Sequence, residues 1–281
     1  MIIASTIGDV RQTVKAWRKE GRTIGLVPTM GYLHEGHASL VKAAKAACDR
    51  VVVSVFVNPT QFGPNEDLES YPRDFKHDCA LLESLGTDLV FHPETSELYM
   101  PDACTWVQVP DLTGNLCAKT RPTHFRGVCT VVSKLFHIVG PDQAFFGQKD
   151  AQQLAVIRRM VRDLNFDIKI VGCPIVREPD GLAKSSRNTY LNPQERQAAL
   201  VLNRSLMDAK ALIKSGETDT KRLLKVIRER IAAEPLATLD YAEAVDADSM
   251  APVARVADNV LFAIAVYIGK TRLIDNFIVS R

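Results

Sequence analysis

Short apolar runs alternate with amphipathic stretches along the first two-thirds of the chain. That alternation is the pattern of a parallel sheet wrapped in helices. Val10, Val14 and Trp17 recur at helical spacing and predict a helix that closes before Gly21. Thr23–Val27 predicts a short buried strand, and Leu40, Val41, Ala44 and Ala47 predict a helix over His37–Cys48. Val51–Val57 is nearly continuous β-branched sequence, as expected of a strand buried on both faces. Asn58–Glu66 reads as loop, Arg73–Leu85 as a helix closed by Gly86, and Asp88–Phe91 as a strand. The alternation continues with a helix over Val128–Val139, a strand over Gln143–Gly147, a helix over Asp150–Leu164 and a strand over Asp167–Val176.

The pattern changes after Glu178. Pro179-Asp180-Gly181 predicts a turn, and two long helical patterns follow, Gln194–Lys214 and Lys221–Ala233. Strands are predicted near Asp240–Val245, Val260–Ile268 and Arg272–Val279, the last two joined through Gly269-Lys270. The fold expected is α/β, with a Rossmann-like parallel sheet in an N-terminal domain over residues 1–176. A smaller α+β C-terminal domain is expected over residues 177–281, in the role of a lid.

Composition narrows the function classes. A 46% hydrophobic, 24% charged chain of 281 residues is ordinary globular sequence, which excludes a disordered or collagen-like chain. Thirty-five basic against 33 acidic residues leave no surplus to neutralise a nucleic-acid backbone, so no nucleic-acid partner is expected. The strongest apolar run, Val260–Gly269, is half of the ~20 residues that a membrane-spanning helix needs. The apolar start at Met1–Ala4, with no basic residue before Arg11, is the reverse of a secretory signal. Six cysteines without a C-x-x-C pair read as reduced core thiols. These features together predict a cytoplasmic protein.

In an open parallel sheet, ligands bind beyond the carboxyl ends of the strands. Here the predicted strands run into polar segments: Pro28–His37, Asn58–Gly63, Gln148-Lys149-Asp150 with Gln152 and Gln153, and Lys184–Asn188. His34 and His37 lie three apart at a helix start, where backbone N–H groups and the helix dipole favour negative charge. Gly36 lets the backbone approach a ligand, and imidazoles there can donate to phosphate oxygens that gain charge. The spacing H-x-G-H is not that of a zinc helix. Lys149 can reach phosphate oxygens as a point charge, although a lone loop lysine is more often a solvated one. Ser185-Ser186-Arg187 offers hydroxyls and a guanidinium fork, and Gln61 and Gln153 can each donate to and accept from a small polar substrate. Ser185 and Ser186 have no evident paired base, the cysteines lack an adjacent histidine in sequence, and G-x-G-x-x-G is absent from the first strand–helix turn. The residues therefore point to a nucleoside-triphosphate site and transfer of a nucleotidyl group, without naming the acceptor.

Six blocks carry a resemblance: PTMGYLHEGH at 28–37, FVNPTQF at 56–62, YPR at 71–73, PTHFRGV at 122–128, FGQKDAQQ at 146–153 and GLAKSSRN at 181–188. In this order they resemble the pantoate–β-alanine ligase (pantothenate synthetase) family over essentially the whole chain. The H-x-G-H and Lys-Ser-Ser-Arg elements also resemble the signatures of the wider nucleotidyltransferase superfamily. The resemblance implies attack of pantoate's carboxylate on the α-phosphorus of ATP, then attack of β-alanine on pantoyl adenylate, with AMP and pyrophosphate released. It implies that His34, His37 and Lys149 are catalytic, His37 as proton donor. It assigns ATP to Met30, Gly31, Tyr32, Leu33, His34, Glu35, Gly36 and His37, to Gly147, Gln148, Lys149, Asp150 and Val176, and to Lys184, Ser185, Ser186 and Arg187. Pantoate falls to Gln61, Gln153 and Asn58, and β-alanine to Gln61. The resemblance also implies Mg²⁺ on the phosphates, without protein ligands assigned, and a homodimer. His77 stands where some members carry an acid, and Gln148 where Glu is frequent. The alternative is another H-x-G-H nucleotidyltransferase adenylylating a different small acid; such an enzyme should lack the paired glutamines and the block at 56–62. A non-catalytic nucleic-acid binder would need a basic face, which the charge balance opposes.

Overall fold

The computed structural model describes residues 1–64 and 66–279. In chain order the elements are β1 (Ile2–Ala4), α1 (Ile7–Lys19), β2 (Ile24–Thr29), α2 (Glu35–Ala47), β3 (Arg50–Val55), α3 (Phe75–Ser84) and β4 (Leu89–Phe91). Then come α4 (Thr95–Leu98), α5 (Cys117–Thr120), α6 (His124–Val139), β5 (Gln143–Gly147), α7 (Ala151–Asp163) and β6 (Lys169–Cys173). The last third holds α8 (Pro193–Ala198), α9 (Leu200–Lys214), α10 (Thr220–Ala232), β7 (Ala237–Asp246), β8 (Val260–Ile268) and β9 (Thr271–Val279). Two compact units result. One gathers Met1–Val109, Arg121–Gln148 and Val156–Pro174; the other gathers Pro110–Thr120, Lys149–Ala155 and the chain from Ile175 onward.

The first unit is built on a six-stranded parallel sheet in the order β1-β4-β3-β2-β5-β6. Val51, Val52, Val53 and Val55 of β3 are all buried, which is why no charged position interrupts them. Val27, Val53, Val90 and Phe145 share a core with Leu40, Val41 and Ala44 of α2 and Leu82 of α3. Burying a Leu or Phe side chain completely contributes about 1.5–3 kcal/mol, and Leu82 and Phe145 are each 1% exposed. From β2 the chain winds outward to β3 and β4, then returns to place β5 and β6 on the other side of β2. The strand order thus reverses between β2 and β5, and the crevice at their carboxyl ends is where such a sheet receives a ligand.

The second unit holds a three-stranded antiparallel sheet, β7-β8-β9. Val260, Phe262, Ile264, Val266 and Ile268, alternate residues of β8, share one core with Leu206 and Ala209 of α9 and Leu223, Ile227 and Ile231 of α10. The structure departs from the sequence reading in several places, the short helices α4 and α5 among them. The helix expected over Gln194–Lys214 is broken at Ala199, between α8 and α9. Ala198 through Leu202 are five consecutive buried residues, which one straight helix cannot turn to one side; the break lets both segments bury theirs. The strand β1 is an addition, a three-residue edge strand paired with β4, and Ile2 and Ile3 remain exposed on it. All six cysteines are free; Cys48, Cys117, Cys129 and Cys173 are buried, Cys79 is half-buried and Cys104 is exposed, so the core-thiol reading fails for Cys104. Among the described residues no helix is long and apolar enough to cross a membrane.

Candidate active site

The segment between β2 and α2 carries the paired histidines, and almost every amide in it is held by a side chain. Thr29 Oγ1 accepts from the Gly31 amide at 3.2 Å. The carboxylate of Asp78, on α3, accepts from the Tyr32 amide at 2.9 Å and the Leu33 amide at 2.7 Å. His34 is the N-cap of α2: its Nδ1 accepts from the Gly36 amide at 3.1 Å, while its own amide donates to His37 Nδ1 at 3.3 Å. Both Nδ1 atoms are therefore acceptors, and the hydrogen-bond pattern assigns the proton of each neutral ring to Nε2. The rings lie 4.2 Å apart, centroid to centroid. Each is thus a fixed N–H donor suited to oxygens that gain negative charge.

This loop is bent against ordinary preference. Gly31 has φ +82°, and Tyr32 has φ +50°, a left-handed conformation that costs a residue with a side chain roughly 1–2 kcal/mol. A Cβ at Gly31 would stand 3.0 Å from Asp78 Oδ2 and 3.1 Å from Val55 Cγ1, so only glycine fits beside the carboxylate. Asp78 is 1% exposed. Burial pushes its carboxyl above the ordinary aspartate value, against the Leu33 and Tyr32 amides, which favour the ionised form.

Beyond β3, a 3-10 turn over Pro59–Gln61 presents Gln61, which is 8% exposed. Its Oε1 accepts from Asn58 Nδ2 at 3.1 Å, and its Nε2 lies 3.1 Å from Met30 Sδ, so the turn and the histidine loop meet at this amide. Asn58 is buried and fully engaged: Nδ2 also donates to the Gly127 carbonyl, and Oδ1 accepts from Tyr99 and Thr60. The Gln61 carbonyl is held in turn by His124 Nδ1 at 2.9 Å and by Arg121 at 3.4 Å, with Arg121 paired to Glu66. Gly127 is where α6 touches this turn, since a Cβ there would lie 2.4 Å from the Thr60 carbonyl oxygen. The block PTHFRGV is thus the cradle of the Gln61 turn. Gly147 ends β5, the strand that pairs with β2 at the strand-order reversal, and Gln148 opens the 3-10 turn that follows.

In the second unit, Lys149 lies 3.6 Å from Asp150, and its carbonyl accepts from Asn276 Nδ2 of β9 at 2.8 Å. Gln152 and Gln153, adjacent on α7, have different fates. Gln152 is buried and binds the Leu112 and Asn115 carbonyls and the Cys117 amide, whereas the half-buried Gln153 amide bonds to no described residue. Val176 accepts from the Lys184 amide at 2.9 Å across a tight hairpin that also pairs Arg177 with Ala183. Lys184 is ion-paired with Glu178 at 2.8 Å, and Ser185 caps the 3-10 turn Ser186–Tyr190 by accepting from the Arg187 amide. Arg177 forks onto Asp275 of β9 at 2.7 and 2.8 Å and donates to the Gly181 carbonyl, which fixes the hairpin.

Met30, His34, His37, Asn58 and Gln61 are thus brought together within the first unit, while Lys149, Gln153 and Lys184–Arg187 belong to the second. The structure adds Asp78, His124, Gly127, Arg177 and Asp275, which hold the loops. His124 and Gly127 lie in the PTHFRGV block that carries the resemblance; Asp78, Arg177 and Asp275 bond to backbone or to partners far along the chain.

Comparison with known proteins agrees with this architecture. The family model for pantoate-beta-alanine ligase matches residues 2–278. The chain is 57% identical over 277 residues to the pantothenate synthetase of Clostridium botulinum (strain Loch Maree / Type A3), covering 99% of each. A crystal structure of pantothenate synthetase from Thermus thermophilus superposes with a TM-score of 0.95 at 43% identity, covering 100% of both chains. A pantoate-beta-alanine ligase from Francisella tularensis, solved in complex with beta-gamma ATP and beta-alanine, gives a TM-score of 0.80 at 35% identity over 99% of this chain and 97% of that one. With its histidine loop at the reversal of the sheet and full-length similarity on both counts, the chain belongs to the pantoate–β-alanine ligase family.

Proposed function

We propose that this chain joins pantoate to β-alanine at the expense of ATP, through pantoyl adenylate. A pantoate carboxylate oxygen attacks the α-phosphorus, the bond from that phosphorus to the bridging oxygen breaks, and pyrophosphate leaves with the electron pair. The β-alanine nitrogen then attacks the acyl carbon, the acyl–oxygen bond breaks, AMP leaves, and the amine loses a proton as the amide of pantothenate forms. The observation that carries this reading is the pair of imidazoles held with Nδ1 on backbone amides at the strand-order reversal, beside the buried Gln61.

In this reading the segment Met30–His37 receives ATP, and His34 and His37 donate hydrogen bonds from Nε2 to phosphate oxygens, His37 in the donor role that the family resemblance implies. Gln61 and Gln153 read pantoate's hydroxyls, Gln61 also adjoins β-alanine, and Asn58 completes the pantoate subsite by fixing the Gln61 amide. Gly147, Gln148, Asp150 and Val176 contact the nucleotide. Lys149 stabilises charge on the phosphates, and Lys184–Arg187 close on them, Lys184 exchanging Glu178 for phosphate. Among the described residues no three His, Cys, Asp or Glu side chains gather as a metal cage, and both Asp78 oxygens are engaged by amides. We propose that Mg²⁺ would come with the triphosphate, keep its own waters and neutralise phosphate charge. We further assign the enzyme to the cytoplasm, in line with its unpaired cysteines, and propose that it works as a homodimer.

The test is pyrophosphate release from ATP and Mg²⁺. It should appear only when pantoate is added, and β-alanine should then yield pantothenate and AMP in equal amounts. Pyrophosphate formed equally with other small acids would favour the wider nucleotidyltransferase reading.

A further inference from the structure

We propose that Asp78 is the positioning residue of the phosphate loop: by holding the Tyr32 and Leu33 amides it sets where the His34 and His37 imidazoles stand during adenylate formation. The inference rests on the reading in which those imidazoles act on phosphate.

Asp78 points inward from α3 one turn before Leu82, at a place where an aliphatic side chain would pack without the penalty of burying a carboxylate. Both of its oxygens are spent on consecutive amides of a single loop, at 2.9 and 2.7 Å. That loop has left-handed residues at Gly31 and Tyr32, so local backbone preference does not maintain it. One peptide separates the second held amide from His34. The His34 ring is tied to the Gly36 amide and the His34 amide to the His37 ring, so a shift of Leu33 passes to both imidazoles. Asp78 itself touches no substrate in this account; it acts through the backbone.

The test is a double-mutant cycle on pantoate-dependent pyrophosphate release, expressed per folded protein. The proteins are wild type, Asp78→Asn, His37→Ala and the pair. Asparagine keeps one acceptor oxygen but turns an amino group toward the other amide. Displacing a catalytic group by about 1 Å costs on the order of a hundredfold, so Asp78→Asn should lower kcat by about that factor. In the His37→Ala background the same change should cost less, because one of the two groups it positions is gone. Equal losses in the two backgrounds, or a variant that loses only melting temperature while kcat per folded protein is kept, would overturn the proposal. If His37→Ala alone retains wild-type turnover, the phosphate role of the imidazoles fails first, and that single variant shows it. Should Asp78→Asn not fold, Gly31→Ala displaces the loop from its own side, with the new Cβ 3.0 Å from Asp78 Oδ2. It should reproduce the loss and its dependence on His37, and wild-type kcat in Gly31→Ala would contradict the proposal.

Discussion

The two loops assigned to the triphosphate are each held by a buried aspartate, in opposite ways. In the first unit Asp78 accepts two backbone amides and, among the described residues, meets no cation at hydrogen-bond distance. In the second, Asp275 takes the Arg177 fork, and Arg177 carries the hairpin before Lys184. The neighbour of Asp275 on β9, Asn276, holds the Lys149 carbonyl, so two adjacent residues of one strand fix both cationic segments. The difference teaches what each anchor is worth. An amide-bound carboxylate can be altered with a loss mainly in geometry, whereas half of a buried ion pair cannot be removed without leaving the other half charged and dry.

The largest expected effect belongs to Lys149, the second-unit cation for which we propose a role on the phosphates. Lys149→Ala should fold as wild type, because Asn276 bonds to the backbone of residue 149 and not to its ammonium. It should lose ~2.7–4 kcal/mol of transition-state stabilisation, about 100–1,000-fold in pyrophosphate release. Activity near wild type would remove Lys149 from the mechanism. Next is the anchor itself. Arg177→Leu strands Asp275, which is 2% exposed, and breaking such a pair costs about 3–5 kcal/mol. Arg177 keeps 26% of its side chain exposed, so the lower end of that range is expected from urea unfolding. A loss no larger than that of a surface pair would mean the fork is not an anchor.

Gln153 sharpens the comparison differently, since its side chain bonds to no described residue while that of Gln61 is tied down by Asn58. A site that hydrogen-bonds pantoate's hydroxyls leaves its own amides unpaired against an analogue lacking one, at ~1–3 kcal/mol per buried group. Gln153→Ala should therefore lose most of the preference for pantoate over a dehydroxylated analogue, read as the ratio of kcat/KM values. An unchanged ratio would show that Gln153 reads no hydroxyl.

The smallest effect is a pH dependence within the first unit, where two aspartates pull in opposite directions. Asp88 is desolvated, which raises its pKa, but Lys45, Arg50 and the Val51 amide outweigh this and hold it below the ordinary value. Its stabilisation is present above the unfolded-state value and is lost as pH falls through the lower native one. The stability gap between wild type and Asp88→Asn should shrink in acid. Asp78 is raised instead, so wild type should gain on Asp78→Asn as pH falls through that raised value. Urea titrations of both variants against pH check the signs, and gaps moving the same way would contradict the assignment.

Much of this molecule was legible in the chain. Alternating β/α patterns mark the parallel sheet because a strand buried on both faces, such as Val51–Val55, admits no charged residue. The tail strands are plain for a related reason, their alternate residues meeting one helical layer. In the first unit the sequence places His34, His37 and Gln61 in two loops after strand ends, and the structure joins those loops through Gln61 and Met30. What holds them was not legible. Asp78 on its helix reads as one more solvated acid, and its partners are backbone amides 45 and 46 residues away, which leave no trace in side-chain pattern. His124 grips a carbonyl 63 residues distant for the same reason. The break at Ala199 was hidden because alanine favours either helix, and only the run of buried neighbours forces it.

The central claim is that pantoate is activated as an acyl adenylate, and the oxygen of its carboxylate tests it most directly. With 18O in both carboxylate oxygens, complete turnover with ATP and β-alanine should deliver one labelled oxygen to AMP, none to pyrophosphate, and leave one in the amide. Label in inorganic phosphate, formed together with ADP, would mean attack at the terminal phosphorus and would contradict the account.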